Sequence, residues 1–152
     1  MSVSIEDIKK LRETTGAGIA DSRKALEEAG GDIKKAEELV KSWGIAAASK
    51  KADRAVGAGL VDTYIHSGGK VGSMVEVNCE TDFVAKTEEF KNLVREVAMQ
   101  VAAMDPKDVK ELLSQDYIRD SAKNVETLVK ETIAKVGENI QVKRFMRFEL
   151  GV

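Results

Sequence analysis

VEVNCETDFVAK (residues 75–86) joins a strand pattern to the start of a helix. Up to residue 79, apolar or small residues occupy every second position, which predicts a strand with one buried face. Beyond residue 86, apolar residues follow helical spacing. The strand positions are Val71, Ser73, Val75, Val77 and Cys79, and the helix positions are Phe90, Leu93, Val94, Val97, Val101 and Met104. Thr81 and Asp82 therefore lie at a junction where a strand passes into a helix.

Phe83 follows this junction directly, and the pattern leaves two interpretations of it open. In the first, Thr81 or Asp82 caps the helix, because a short oxygen side chain accepts hydrogen bonds from free helix amides, and Phe83 packs onto the core. In the second, Phe83 points outward and anchors a protein partner, because an aromatic side chain brings a large apolar area to an interface at low entropic cost. Caps are common at such junctions, so the first interpretation is the simpler one.

The rest of the C-terminal part predicts two more strands and two more helices. Residues 60–65 alternate, Ser67-Gly-Gly69 turns the chain and residues 70–80 return it, which is a hairpin signal. The last strand is predicted to pack Ile140, Val142, Met146, Phe148 and Leu150, and to expose Gln141, Lys143, Arg147 and Glu149 together with Phe145. Helices are predicted over residues 87–104, after Pro106, and through Ala122, Val125, Leu128, Val129 and Ile133 to Gly137. We expect an α+β fold in which helices cover one face of three antiparallel strands.

The first 44 residues predict a separate module of three short helices. Ser4 is placed to begin a helix that carries Ile5, Ile8 and Leu11. A second helix carries Ile19, Ala25, Leu26 and Ala29, and a third, capped by Asp32, carries Ile33, Ala36, Leu39, Val40 and Trp43. The predicted division is a helical domain at 1–44, a helical linker at 45–56 and an α+β domain at 57–152.

Composition indicates a cytoplasmic globular protein. No apolar run approaches the roughly 20 residues of a membrane helix, and the first residues lack the layout of a signal peptide. The single cysteine, Cys79, cannot form an internal disulfide, and its alternation with Val75 and Val77 indicates a small buried side chain. A net charge of −2, without interleaved arginines and aromatics, gives no indication of nucleic-acid binding.

Catalysis has little support in the sequence. There is no glycine-rich phosphate loop, no recognisable nucleophile motif and no metal-ligand cluster. Glu80 and Asp82 form a carboxylate pair near a helix start, which is more typical of capping and helix-dipole compensation than of acid–base chemistry. We therefore expect a binding protein rather than an enzyme, with no cofactor.

Five blocks of the sequence resemble the bacterial elongation factor Ts family. The junction block is Asn78-Cys-Glu-Thr-Asp-Phe-Val-Ala-Lys86. The other four, in the family's order, are LRETTGAGI (11–19), AGGDIKKA (29–36), GIAAASKKADR (44–54) and IAKVGENI (133–140). Together they cover the chain nearly from end to end, apart from about residues 105–130.

The resemblance implies guanine-nucleotide exchange on elongation factor Tu. In the family, one segment lies against the GTPase domain, where its insertion disturbs the magnesium site and loosens bound GDP. The matching residues here are Thr81, Asp82, Phe83 and Val84. A second contact comes from the end of the first helix and the turn after it, which corresponds to Arg12, Ile19 and Ala20. The resemblance also implies a three-helix fold of the ubiquitin-associated type for the N-terminal module.

The chain departs from the family in two respects. Many relatives carry two methionines where Ile19 and Ala20 stand, and Ile19 is equally consistent with a core position of the second helix. Many relatives also have a second core subdomain, so a two-fold homodimer through the sheets is a way to supply the missing half. The competing functional interpretation is a scaffold module that binds a ribosomal or ubiquitin-like partner without promoting nucleotide exchange.

Overall fold

A computed structural model describes residues 2–152 of the chain. The elements in order are α1 (Ile5–Thr15), α2 (Ile19–Glu28), α3 (Ile33–Lys50), β1 (Ala58–Ile65), β2 (Val71–Cys79), α4 (Asp82–Ala85), α5 (Glu88–Met104), α6 (Val109–Ser114), β3 (Asp116–Tyr117), β4 (Asp120–Asn124), α7 (Val125–Val136) and β5 (Ile140–Glu149). The predicted fold class is confirmed, because N-terminal helices precede a three-stranded antiparallel sheet that is packed with helices.

The N-terminal module has a small core of its own. Its fully buried residues are Leu11, Ala25, Leu26 and Ala36, and Trp43 packs against them. The predicted caps are present, because the Ser4 hydroxyl accepts from the Asp7 amide at 3.0 Å and the Asp32 carboxylate accepts from the Lys35 amide at 3.2 Å. Local capping chemistry thus sets where α1 and α3 begin.

Helix α3 links the N-terminal module to the sheet domain. It continues without a break to Lys50, so the boundary predicted between residues 44 and 45 lies inside the helix. Its first half packs on α2 and its second half on α7. At Gly44 a Cβ atom would come 3.0 Å from the Cβ of Ala134, so glycine allows the two helices to approach closely.

The sheet has the strand order β1-β2-β5, and α5 and α7 cover one of its faces. Val75, Val77 and Cys79 point into this covered face, as their alternation predicts. Phe90 is fully buried beneath the sheet, together with the apolar stripe of α5. One continuous apolar core therefore holds the second half of the chain together.

A β-bulge in β5 overturns the predicted facing of the last strand. Val142 pairs with Val77 and Arg144 pairs with Glu76, so Lys143 is an extra residue on the β5 side. Because side chains alternate with a period of two, one inserted residue sends every later side chain to the opposite face. The prediction assumed an unbroken alternation and is therefore wrong for Phe145, Met146 and Phe148, although Lys143 and Glu149 are exposed as predicted.

The consequence is an uncovered sheet surface with several apolar side chains, which we call the open face. Met146, Phe148 and Leu150 were predicted to pack but are exposed, whereas Phe145 was predicted on the polar face but packs against the core. The exposed apolar residues of the open face are Val61, Ile65, Met74, Met146, Phe148 and Leu150.

The segment before α7 also differs from its prediction. Ala122 was assigned to the amphipathic helix but lies in β4, and α7 starts at Val125 with Asn124 as its cap. Strands β3 and β4 form a small hairpin that is held by the buried Gln100, which donates to the Asp116 carbonyl at 3.0 Å and accepts from the Ile118 amide at 3.1 Å. The hairpin escaped prediction because its strands have only 2 and 5 residues.

Within residues 2–152, none of the helices combines the length and the apolar character that crossing a membrane requires.

Candidate partner-binding site

Two threonines in succession shape the junction between β2 and α5. The Thr81 side chain accepts from the Val84 amide at 3.3 Å and caps α4, a helix of 4 residues. Thr87 then caps α5 by accepting from the Phe90 amide at 3.3 Å, and its hydroxyl donates to the Val84 carbonyl at 2.7 Å. Thr81 is therefore a helix cap, as predicted, but it caps the short helix α4, whereas Thr87 caps the long helix that the sequence predicted.

The short helix α4 directs its side chains to opposite sides. Val84 and Ala85 are buried in the core, with 6% and 4% of their surface exposed, whereas Phe83 is 85% exposed. The interpretation that Phe83 packs onto the core is therefore wrong. An exposed phenylalanine forgoes roughly 1.5–3 kcal/mol of burial free energy, so its outward position is costly unless a partner covers it.

Asp82 stands next to Phe83 and is also exposed. Within residues 2–152 its carboxylate forms no salt bridge, so it is available to a donor group of a partner. Val84 differs from the other predicted site residues because its side chain belongs to the core and anchors the turn.

Thr81 is held from two sides by groups outside α4. The Glu138 carboxylate accepts from the Thr81 amide at 3.0 Å and from the Thr81 hydroxyl at 2.7 Å. On the other side, the buried Cys79 thiol lies 3.2 Å from the Thr81 carbonyl, to which it donates. Burial raises the pKa of the Cys79 thiol, and the nearby Glu138 carboxylate raises it further, so the thiol keeps its proton.

The loop between α7 and β5 also braces the segment that follows α3. Asn139 is 2% exposed and donates to the carbonyls of Ala52 and Arg54 at 3.3 and 2.8 Å. Arg54 in turn lies 3.6 Å from Glu80 in an ion pair. Sequence reasoning missed Glu138 and Asn139, although both lie in the block at residues 133–140 that carries part of the family resemblance.

The second group of predicted site residues lies at the turn between α1 and α2. Gly16 ends α1 in the left-handed conformation with φ of 72°, and its amide donates to the Arg12 carbonyl at 2.8 Å. Arg12 is exposed, and its Nε reaches the Ala17 carbonyl at 3.4 Å. Gly18 precedes α2 and provides no side-chain cap.

Ile19 is 61% exposed, so its assignment to the core of the second helix is wrong. Ala20 beside it is exposed as well. An exposed cation, Arg12, therefore lies before this turn and an exposed aliphatic side chain, Ile19, lies after it. The two groups of site residues lie on different elements, with Phe83 in the sheet domain and Ile19 in the helical module.

No group of three or more His, Cys, Asp or Glu side chains within residues 2–152 is arranged to hold a metal ion. The exposed side chains at both places can offer apolar contact, hydrogen bonding and charge.

Comparisons with known proteins place these features in one family. A family model described as Elongation factor TS matches residues 80–151. The protein named Elongation factor Ts from Thermoanaerobacter sp. (strain X514) is 46% identical over 194 aligned residues, which cover 98% of this chain and 95% of the relative. The relative of the same name from Caldanaerobacter subterraneus is 43% identical over 194 residues, covering 98% of this chain and 97% of its own length.

Size differs among these relatives. The two alignments over 194 residues are longer than the 152 residues of this chain, so those relatives carry residues in the aligned region that this chain lacks. The protein named Elongation factor Ts from Aquifex aeolicus is 49% identical over 154 residues, which cover 98% of this chain but 53% of the relative.

Proposed function

The chain belongs to the elongation factor Ts family of translation elongation factors, and we propose that it accelerates GDP release from elongation factor Tu. The observation that carries the proposal is the position of Phe83, which is 85% exposed while Val84 and Ala85 behind it are buried. A rigid aromatic side chain on a braced turn suits insertion into a partner.

Phe83 acts as the wedge in this proposal, and Asp82 contacts the partner beside it. Magnesium needs near-ideal octahedral geometry and bridges protein oxygens to the nucleotide phosphates, so a small displacement of its neighbours in the partner weakens ion and nucleotide together. The wedge does not have to touch GDP. Thr81 caps the turn and Val84 fixes it to the core.

Exchange then follows from thermodynamic linkage. If the factor binds nucleotide-free elongation factor Tu more tightly than the GDP-bound form, GDP affinity falls by the same ratio. A coupling of about 3 kcal/mol weakens GDP roughly 150-fold. The chain acts by binding alone in this scheme, with no covalent step, no cofactor of its own and no contact with nucleic acid, and it works in the cytoplasm.

The helical module is proposed as the second contact, for which the family resemblance implies a ubiquitin-associated type of fold. Ile19 offers apolar area and Arg12 offers charge at the turn, with Ala20 beside them. Because Ile19 is exposed rather than buried, its side chain is available to the partner without any rearrangement of the module.

A release assay tests the proposal. Elongation factor Tu is loaded with fluorescent GDP, excess unlabelled GDP is added, and the fluorescence decay is followed with and without catalytic amounts of this chain. Faster release supports exchange activity. If this chain binds elongation factor Tu but leaves the decay unchanged, the scaffold interpretation replaces the exchange proposal.

We also propose that two copies associate through the open face. Four of its apolar residues line a shallow cavity of about 490 Å³ at Gly72, and these are Ile65, Met74, Phe148 and Leu150. A Cβ at Gly72 would lie 2.5 Å from the Ile65 Cδ1, so glycine at this position leaves room for the Ile65 side chain. A large apolar patch on an uncovered sheet typically marks an interaction surface.

Analytical ultracentrifugation should show a dimer that the Phe148→Glu variant dissociates, and a wild-type monomer at tens of micromolar would rule the dimer out.

A further inference from the structure

Glu138 lies in the loop between α7 and β5, 57 residues from Thr81 in the chain, yet its carboxylate binds both polar hydrogens of that residue. One carboxylate oxygen accepts from the Thr81 amide at 3.0 Å, and the other accepts from the Thr81 hydroxyl at 2.7 Å. Hydrogen bonds to an ionised carboxylate are roughly twice as strong as neutral ones, and two of them fix both position and orientation. Thr81 is thereby clamped to an element outside its own turn.

The clamp continues into α4. The Thr81 hydroxyl donates to Glu138 and at the same time accepts from the Val84 amide at 3.3 Å. Because this hydroxyl hydrogen is committed to Glu138, its lone pair stays directed at the Val84 amide. A helix of 4 residues has almost no stability of its own, so its direction depends on its cap and its neighbours. Phe83 is the second residue of this helix.

We propose that Glu138 is a positioning residue for nucleotide exchange, which fixes the direction in which Phe83 meets the partner through the chain Glu138, Thr81 and α4. The inference rests on the proposed exchange function. A contact group that is held in its bound orientation avoids the entropy loss of being ordered on binding. Without the clamp, Phe83 samples several directions, and fewer encounters place it against the partner correctly.

If Glu138 had a purely structural role, its loss would lower the thermal midpoint together with the exchange rate. Thr81 is exposed and Glu138 is half-buried, so removal of the carboxylate leaves the Thr81 amide and hydroxyl accessible to water. Exposed polar groups that lose a partner rebind water at little cost. We therefore expect the thermal midpoint to change little while exchange falls.

The test uses the full chain with five variants: Glu138→Ala, Thr81→Val, their double variant, Thr81→Ser, and Glu80→Ala as the control. Glu80 is adjacent to Thr81 and pairs with Arg54 at 3.6 Å but makes no hydrogen bond to Thr81, so its loss removes a nearby charge and leaves the clamp intact. The maximal release rate and the half-saturating concentration of the chain are measured with fluorescent GDP on elongation factor Tu. Thr81→Ser keeps the hydroxyl and serves as the rescue.

The maximal rate should fall about tenfold for Glu138→Ala, because both hydrogen bonds that hold Thr81 are lost, with a half-saturating concentration within about twofold of wild type. Thr81→Val should show a similar loss. The double variant should be no slower than the slower single variant, because both changes break one chain of contacts. Thr81→Ser should recover most of the rate that Thr81→Val loses, and Glu80→Ala should retain the wild-type rate.

Fluorine NMR gives a readout that does not need the partner. The chain contains four phenylalanines, so 4-fluorophenylalanine labelling gives four resonances, and Phe83→Leu assigns the one of interest. The Phe83 resonance should shift and sharpen in Glu138→Ala and in Thr81→Val, whereas those of Phe90, Phe145 and Phe148 should stay in place. Glu80→Ala should leave all four unchanged.

The outcomes separate this inference from the proposed function. If wild type accelerates release and a folded Glu138→Ala variant matches it, the positioning role is overturned. Losses that multiply in the double variant also overturn it. If wild type does not accelerate release, the exchange function fails, and the fluorine spectra still decide whether Glu138 orients Phe83. Should Glu138→Ala not fold, Thr81→Val and Thr81→Ser decide the same question from the other end of the clamp.

Discussion

Phe83 and Ile19 are both large apolar side chains exposed at the beginning of a helix, but the structure supports them differently. Phe83 follows a threonine cap that Glu138 clamps at 2.7 and 3.0 Å, and its neighbour Val84 is buried. Ile19 follows Gly18, which offers no side-chain cap. A side chain on a turn that is clamped from outside keeps its direction when it meets resistance, whereas a side chain after an uncapped helix start has more freedom to adapt to the surface it meets. The first suits displacement of a partner's residues, and the second suits docking.

The strongest way to break this comparison is to remove the braced ring. Phe83→Ala should lower the maximal GDP release rate about 150-fold, which corresponds to about 3 kcal/mol for a central interface anchor. The thermal midpoint should stay close to that of wild type, because the ring is 85% exposed and packs on little. Stopped-flow release and a melting curve measure both quantities. A folded variant with the full rate would remove Phe83 from the mechanism.

The next test removes the hydrogen bonds by which Asn139, in the loop before β5, holds the segment that follows α3. Asn139→Ala should lower the free energy of unfolding by about 2 kcal/mol, because it removes two hydrogen bonds made by a side-chain amide of a residue that is 2% exposed. Urea unfolding measures the change. Gln141→Ala is the matched control, since Gln141 donates to the same Ala52 carbonyl at 3.5 Å from an exposed position and should change the free energy by less than about 0.5 kcal/mol. Equal effects of the two variants would contradict the brace assigned to Asn139.

A third test addresses docking alone. Ile19→Ala should raise the half-saturating concentration about tenfold, or about 1.4 kcal/mol, because it removes apolar contact area without touching the wedge. The maximal rate should remain that of wild type. Ile5→Ala is the control, because Ile5 is 73% exposed in the same module but lies at the start of α1. A lower maximal rate in Ile19→Ala would mean that the turn takes part in displacement as well.

The smallest expected effect comes from adding a side-chain cap before α2. Gly18→Ser should stabilise the chain by a few tenths of a kcal/mol, because serine caps α2 and no atom lies within 4 Å of the new Cβ. Gly16→Ser is the contrasting variant, since φ of 72° is unfavourable for serine and should cost about 1 kcal/mol. Thermal melting distinguishes the two. Destabilisation by Gly18→Ser would show that the turn resists a cap.

The caps and the covered sheet face were predictable because their determinants are local. Ser4, Asp32 and Thr81 each act on an amide three residues away, and the alternation in β2 depends only on neighbouring positions. Phe83 was identified as a site candidate, but its exposure was not, because the same spacing also serves a core residue. Whether a side chain near a helix start points in or out depends on the loop that meets it.

Other features depend on contacts that sequence spacing does not encode. The extra residue Lys143 in β5 can be recognised only once the pairing with β2 is known, and it reverses the faces of Met146 and Phe148. Glu138 appeared in a recognised block, yet its contact with Thr81 spans 57 residues and required the folded chain. The sequence therefore predicted the exposed site residue Phe83 better than the residues that hold it in place, such as Glu138.

Cys79 provides a chemical probe for local opening of the junction between β2 and α4. Its thiol is fully buried and keeps its proton. It donates to the carbonyl of Thr81, the residue that caps α4. A thiol in that state reacts only after the surrounding structure opens. Because the chain has one cysteine, the rate at which a colorimetric disulfide reagent labels the unmodified protein reports how often this junction opens. Slower labelling in complex with the partner is the expected sign that binding holds the junction shut.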